Sequence, residues 1–130
     1  MPKIIGSVDT LGRPLVRIGV VARDDAALGT VDTGFNGELM MTAGDAAALG
    51  VTVLEGSRDV ELGHGQSVGV HVGRLRVRWL DAERDAAVLI SDRASPTVSG
   101  PVLLIGTKLL KPHLLLIDFA SDTVEIETQE

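Results

Sequence analysis

Cysteine and tyrosine are missing from this chain of 130 residues, and its aromatic side chains are two phenylalanines and one tryptophan. Without cysteine, the protein has no disulfide, no thiolate zinc site and no cysteine nucleophile. With so few aromatic rings, the core has to be filled by aliphatic side chains. The length suits one domain, and we expect a single domain over residues 1–130.

Basic charge and long apolar runs are also scarce. Eighteen acidic residues outnumber twelve basic ones, for a net charge of −6, so the chain lacks the cationic surface that binds a phosphate backbone. The longest apolar stretches, such as 102–105 and 114–117, are far shorter than the roughly 20 residues that span a bilayer. The N-terminus carries no apolar signal region. We therefore expect a cytoplasmic protein that binds neither nucleic acid nor membrane.

Fifteen glycines, five prolines and a two-residue hydrophobic period mark the sequence. In Leu75–Trp79, apolar residues alternate with arginines, which predicts a strand with one buried and one solvated face. Eight to ten short strands fit the pattern, and they favour an all-β barrel or sandwich over a helical bundle. The clearest predicted strands are 15–21, 27–31, 60–62, 68–72, 75–79, 86–90, 102–105, 114–119 and 123–127. We expect the strands 102–105 and 114–119 to be buried. A turn is predicted over Asp81–Arg84.

Two short helices interrupt these strands. Thr42 is a suitable N-cap for a helix over Ala43–Leu49, and Gly50 follows at the position where a left-handed residue ends a helix. A single helical turn is predicted over Thr107–Leu110, because Pro112 stops it.

The segment around Asp32 carries the clearest chemical signal. An apolar strand runs directly into Asp32-Thr33-Gly34, where backbone N–H groups of a following turn can bind the carboxylate. Taken alone, this tripeptide is ordinary turn chemistry. A second element, the apolar strand 102–105, ends at Gly106, a residue that permits close approach of another backbone. Alone, that element is an ordinary strand-to-helix connection.

Together, the two elements resemble the retropepsin-like aspartic peptidases, most closely the short bacterial and archaeal single-domain members. The resemblance covers roughly residues 16–126 and includes the ending Leu116-Ile117-Asp118-Phe119. It implies a retropepsin-like closed β-barrel that forms half of a symmetric homodimer. It also implies an aspartic endopeptidase that cleaves an extended peptide or unfolded protein and uses no metal or other cofactor.

Roles for individual residues follow from the resemblance. Asp32 of each subunit would be a catalytic carboxylate, and Thr33 would hydrogen-bond its counterpart across the two-fold axis. Gly34 would leave room for the substrate backbone and donate its N–H to Asp32. Ile105 and Gly106 would support the Asp32 loop. Two carboxylates within ~3 Å share one proton, which lets one activate water while the other protonates the peptide carbonyl.

A predicted hairpin over Val60–Val72 falls where the family carries a flap that closes over substrate. An alternative interpretation is a surface hairpin that binds nothing. Phe35 either fills a subsite or packs in the core, and we favour the core. The substrate-contacting residues implied by the resemblance are Gly63, His64, Gly65, Gln66 and Phe35.

Two further features bear on function. Lys108 stands where the family has an acidic, amide or arginine residue, which affects the expected bracing of the dimer. His64, His71 and His113 lack the spacing of a helical metal pair, so no metal site is predicted. The alternative function is a catalytically inactive binding or dimerisation module of the same fold, and the intact Asp32 motif favours the enzyme.

Overall fold

A computed structural model describes residues 2–61, 67–91 and 100–129, with the backbone alone at 55–61 and 67–69. Strands make up most of this part of the chain, with two α-helices and one short 3₁₀ turn at Val21–Arg23. The strands are β1 (Lys3–Val8), β2 (Pro14–Val20), β3 (Asp25–Val31), β4 (Leu39–Thr42), β5 (Thr52–Glu61), β6 (Ser67–Trp79), β7 (Ala82–Ser91), β8 (Leu103–Ile105), β9 (His113–Asp118) and β10 (Thr123–Thr128). The helices are α1 (Ala43–Leu49) and α2 (Thr107–Leu110).

Six strands close into a barrel. Their order is β6-β7-β4-β8-β3-β2, and the ring closes because β2 pairs with β6 as well as with β3. Aliphatic side chains fill the interior, and Trp79 is the one aromatic residue among the buried core of the described chain, at 3% exposed. The predicted all-β barrel with an aliphatic core is confirmed. Its largest fully buried side chains are those of Ile18, Leu39, Ile105, Leu109 and Ile126.

The sheet continues beyond the barrel at both ends. On one side β1, β10 and β9 extend it from β2, and β9 is the edge strand. On the other side β5 forms an antiparallel hairpin with β6. The loop between β3 and β4 joins two strands of the barrel, and the two sheet extensions lie on either side of the barrel.

Both helices have the predicted bounds. At the start of α1, the Thr42 hydroxyl accepts a hydrogen bond from the Asp45 amide at 3.3 Å. At its end, Gly50 adopts the left-handed conformation with φ of 79°. In α2, Leu109 and Leu110 are buried and fasten the turn to the core. Neither helix is long and apolar enough to cross a membrane, and the described residues contain no other α-helix.

The turn after Trp79 differs from the prediction. We expected it over Asp81–Arg84, but β7 already begins at Ala82. Leu80 and Asp81 both have positive φ, 50° and 65°, which is the conformation of a two-residue hairpin turn. The shorter turn keeps β6 and β7 paired up to Trp79 opposite Ala82.

The predicted strands were also incomplete. β1 and β4 were not predicted, because the first is a mixed sequence containing Gly6 and the second has only four residues. The predicted break between Val72 and Leu75 is absent, since β6 runs through Gly73 with β5 and β7 paired on either side.

The prediction that β9 is a buried strand was wrong. Its residues alternate between half-buried and exposed, and Leu114 and Leu116 are 50% and 52% exposed. Phe119, just beyond the strand, is 63% exposed. The reason is the position of β9 at the sheet edge, where only one face, with Leu115 and Ile117, packs against the core.

Candidate active site

Asp32 lies at the point where β3 leaves the barrel. Val31 is buried and pairs in parallel with Ile105 of β8. The amide of Asp32 continues this ladder by donating to the carbonyl oxygen of Ile105 at 2.9 Å. The strand thus delivers Asp32 in a fixed position, half-buried, at the start of the loop that leads to β4.

A tight turn holds the Asp32 carboxylate. The amide of Gly34 donates to Asp32 Oδ1 at 2.9 Å, and the amide of Phe35 donates to the Asp32 carbonyl oxygen at 3.2 Å. A Cβ atom at position 34 would lie 3.3 Å from Oδ1, so a side chain there would crowd the carboxylate. Thr33 and Gly34 are exposed, which leaves the turn open to an incoming molecule.

Gly106 allows the second element to approach this loop closely. A Cβ atom at position 106 would lie within 3 Å of the carbonyl oxygens of Phe35 and Gly37. Any side chain would therefore push the Asp32 loop away from β8. The predicted close approach of two backbones at Gly106 is present in the structure.

The amides that follow β8 bind the returning half of the loop. The Thr107 amide donates to the carbonyl oxygen of Phe35 at 2.8 Å, and the Thr107 hydroxyl donates to the same oxygen at 3.3 Å. The Lys108 amide donates to the carbonyl oxygen of Gly37 at 3.1 Å. The start of α2 thereby holds Phe35 and Gly37 next to the barrel.

Phe35 is half-buried beside two glycines. A Cβ atom at Gly37 would come within 2.8 Å of two ring carbons of Phe35, and one at Gly106 within 2.6 Å of another. The ring therefore packs over the glycines that join the two elements. Phe35 is not among the core residues of the described chain, and the choice between core packing and a substrate subsite stays a prediction.

Glu38 was not predicted as part of the site. Its side chain is 12% exposed, and its Oε1 accepts a hydrogen bond from the Ala87 amide at 2.9 Å. Its Oε2 pairs with Nη2 of Arg84. Both partners are on β7, far away in the sequence, so no local spacing pattern could have identified this residue.

A groove with mainly apolar walls adjoins the loop on the Asp32 side of the sheet. Thr30, Leu104 and Met40 stand opposite one another on β3, β8 and β4. They line a cavity of about 360 Å³. Because side chains alternate along a strand, Thr30 and Asp32 share a face of the sheet. The groove is thus placed to hold a side chain of a ligand that reaches Asp32.

A second cavity, of about 610 Å³, lies between the Asp32 turn and α2. Thr33 and Asn36 line one side and Lys108 and Lys111 the other. His113 also borders it, at the start of β9. This concave surface joins the exposed part of the turn to the sheet edge.

The surroundings of His113 favour its neutral form. Its Nε2 accepts a hydrogen bond from the Trp79 indole N–H at 3.3 Å, so its proton belongs on Nδ1, which is buried without a partner among the described residues. Burial lowers the pKa of His113, and the charge of Arg84 lowers it further. Among the described residues, no three His, Asp or Glu side chains form a metal site.

The predicted flap is described only in part. Its strands pair as an antiparallel hairpin, with Val60 opposite Val68 and Glu61 opposite Ser67. The four predicted substrate contacts at its tip lie outside the described residues; these are Gly63, His64, Gly65 and Gln66.

Comparison with solved structures defines the fold class. A retropepsin-like aspartic protease from Rickettsia conorii superimposes with a TM-score of 0.66, at 19% identity, over 97% of this chain and 90% of that one. The EIAV protease in complex with the inhibitor HBY-793 superimposes with a TM-score of 0.58, at 16% identity, over 79% of this chain and 89% of that one. No protein-family model and no curated protein matches the sequence. The chain therefore has a retropepsin-like fold.

Proposed function

We propose that this protein is an aspartic endopeptidase whose active site contains Asp32 from each subunit of a homodimer. The observation that carries the proposal is the Asp32 carboxylate, bound by the Gly34 amide at 2.9 Å at a strand end of a retropepsin-like barrel. One chain supplies one such carboxylate. Proton sharing needs two, so the site is incomplete without a second copy.

The chemistry follows from two carboxylates at close range. Held within ~3 Å, they share one proton, because both cannot be ionised. The ionised Asp32 removes a proton from a water molecule, which attacks the peptide carbonyl carbon. The protonated Asp32 gives its proton to the carbonyl oxygen. The resulting diol returns one hydroxyl proton to the Asp32 that had given its proton away, the C–N bond breaks, and the proton taken from water passes to the leaving amine.

The outer face of β1, β10 and β9 supports assembly with a second copy, because exposed apolar side chains flank the ion pair of Lys3 and Glu125 there. Ile5 on β1 and Leu116 on β9 both stand opposite Glu125, so they lie on one face of the sheet, and Leu114 shares it. Ile5 is 68% exposed, and the two leucines about half. Exposed apolar residues gathered on one face are typical of an interaction surface. A two-fold dimer buries the same patch of both subunits.

An extended peptide or unfolded protein is the proposed substrate. The cavity of about 360 Å³ beside Thr30 and Leu104 suits an apolar side chain. The hairpin of β5 and β6 is the proposed flap, and it would hold the peptide by main-chain hydrogen bonds. Its proposed contacts are Gly63, His64, Gly65 and Gln66.

The test compares the wild type with Asp32→Asn, which has nearly the same shape but cannot act as a base. Both are incubated with a peptide library and with unfolded proteins between pH 4 and 7, and sedimentation confirms that both are dimers. We expect cleavage by the wild type alone. Equal cleavage by both, or none by an intact wild-type dimer, would contradict the proposal, and the second result would favour an inactive binding module.

A further inference from the structure

Glu38 connects the Asp32 loop to three strands of the barrel. Its carbonyl oxygen accepts the amide of Gly106, at the end of β8, at 2.9 Å. Its carboxylate reaches β7, where Oε1 accepts the amide of Ala87 at 2.9 Å and Oε2 binds Arg84. The residue itself directly precedes β4. It is therefore joined to β4 through the chain, to β8 through its backbone and to β7 through its side chain.

The Glu38 carboxylate accepts a β7 amide at a position where a strand ladder would normally supply a backbone carbonyl oxygen. β4 and β7 pair in parallel from Leu39 opposite Val88 onwards. Glu38 and Ala87 are the residues just before this pair, and there the carboxylate accepts the amide of β7. The bond prolongs the contact between the two strands by one residue, up to the point where the Asp32 loop begins its return.

The two carboxylate oxygens of Glu38 make contacts of different kinds, one an ion pair with Arg84 and the other a hydrogen bond with the Ala87 amide. The Arg84 side chain is 41% exposed, so solvent screens its attraction to Glu38 and the pair contributes little energy by itself. The bond to the Ala87 amide, by contrast, joins the end of the loop to the backbone of β7. Arg84 orients the carboxylate, and the bond to Ala87 fixes the returning half of the loop.

We propose that Glu38 is a positioning residue for Asp32, acting through the loop and not through contact with substrate. The inference rests on the proposed peptidase function. The loop from Asp32 to Glu38 is held at its first residue by the carbonyl oxygen of Ile105 and at its last by the amide of Gly106, and the Glu38 side chain adds the bond to β7. Without the side-chain bond to β7, the end of the loop keeps only its backbone bonds to β8 and α2, and the turn that carries the Gly34 amide can shift relative to the carboxylate.

Glu38→Ala and Glu38→Gln test the proposal. The alanine variant removes the acceptor that links the Ala87 amide to the loop, whereas glutamine retains an acceptor oxygen. We expect Glu38→Ala to lower kcat by about 10- to 100-fold with KM within about twofold, since a misplaced catalytic group costs about that much. Glu38→Gln should recover kcat to within about threefold of the wild type. Asp85→Ala is the matched control, because it removes a β7 carboxylate that pairs with Arg76 on the surface.

Amide hydrogen exchange at Gly34 and Phe35 gives a second readout that does not depend on activity. Exchange should accelerate about tenfold or more in Glu38→Ala and stay unchanged in Asp85→Ala. Unchanged exchange and kcat in Glu38→Ala, or equal effects of both variants, would overturn the proposal. If Glu38→Ala does not fold, Glu38→Met replaces it, because methionine has a similar length but no carboxylate to accept the Ala87 amide, and wild-type exchange there would also overturn the proposal. A wild type that cleaves nothing refutes the peptidase function alone, because exchange still decides the positioning role.

Discussion

Replacing Gly106 by alanine tests the contact that joins the two halves of the site. The added methyl carbon would lie 2.6 Å from Cδ2 of Phe35 and 2.8 Å from its carbonyl oxygen, closer still to the carbonyl oxygen of Gly37, where ordinary contacts begin at 3.4 Å. Two of these three neighbours are backbone atoms. They cannot rotate away as the end of a side chain can, so the whole loop has to move.

The cost can be worked out from the bonds involved. Overpacking of this kind costs about 1–3 kcal/mol. The loop can move only if the amides of Thr107 and Lys108 lose their acceptors, at about 0.5–1.5 kcal/mol each. We therefore expect the free energy of unfolding to fall by about 2–6 kcal/mol, a large part of the roughly 5–15 kcal/mol of a typical domain.

Urea unfolding followed by Trp79 fluorescence measures this loss, since that buried indole becomes exposed on unfolding. Gly44→Ala is the matched control, because Gly44 is exposed within α1 and alanine is the better helix former. We expect the control to be as stable as the wild type or slightly more stable. A Gly106→Ala protein within about 0.5 kcal/mol of the wild type would refute the close-approach argument.

Two further predictions concern His113 and the sheet edge. Because the pKa of His113 is lowered in the folded protein, the unfolded chain binds more protons below about pH 6.5, and stability falls on acidification. Urea midpoints at pH 7.5 and 5.5 should therefore differ more in the wild type than in His113→Gln; equal differences would contradict the assignment. Leu116→Lys should raise the dimer dissociation constant by about tenfold or more, because burying a leucine contributes roughly 1.5–3 kcal/mol. Sedimentation equilibrium measures the dimer dissociation constant. The control is Leu11→Lys, because Leu11 is 76% exposed in a loop. Equal dissociation constants for Leu116→Lys and the wild type would place the interface elsewhere.

Local chemistry made part of this structure predictable. Thr42 and Gly50 mark the ends of α1 because capping depends on residues a few positions apart. The bond from the Gly34 amide to Asp32 spans two residues, and the tight contact at Gly106 follows from the missing side chain.

Contacts distant in sequence were not predictable. Glu38 contacts Arg84, which is 46 residues away in the sequence, and Ala87, which is 49 residues away. Trp79 and His113 are separated by 34 residues. No local pattern encodes such pairs. The exposure of β9 likewise depends on its place at the sheet edge, which hydrophobicity alone does not show. The single peptidase domain over residues 1–130 and the cytoplasmic location stay predictions from the sequence.

Subunit mixing tests most directly whether two Asp32 residues share one site. Wild-type protein is mixed with increasing Asp32→Asn protein at constant total concentration, and peptide cleavage is measured after the subunits have exchanged. If both carboxylates are needed, activity follows the square of the wild-type fraction, and an equal mixture retains about one quarter of the activity. Activity that falls in direct proportion, to about one half, would show that each subunit works alone and would contradict the shared site.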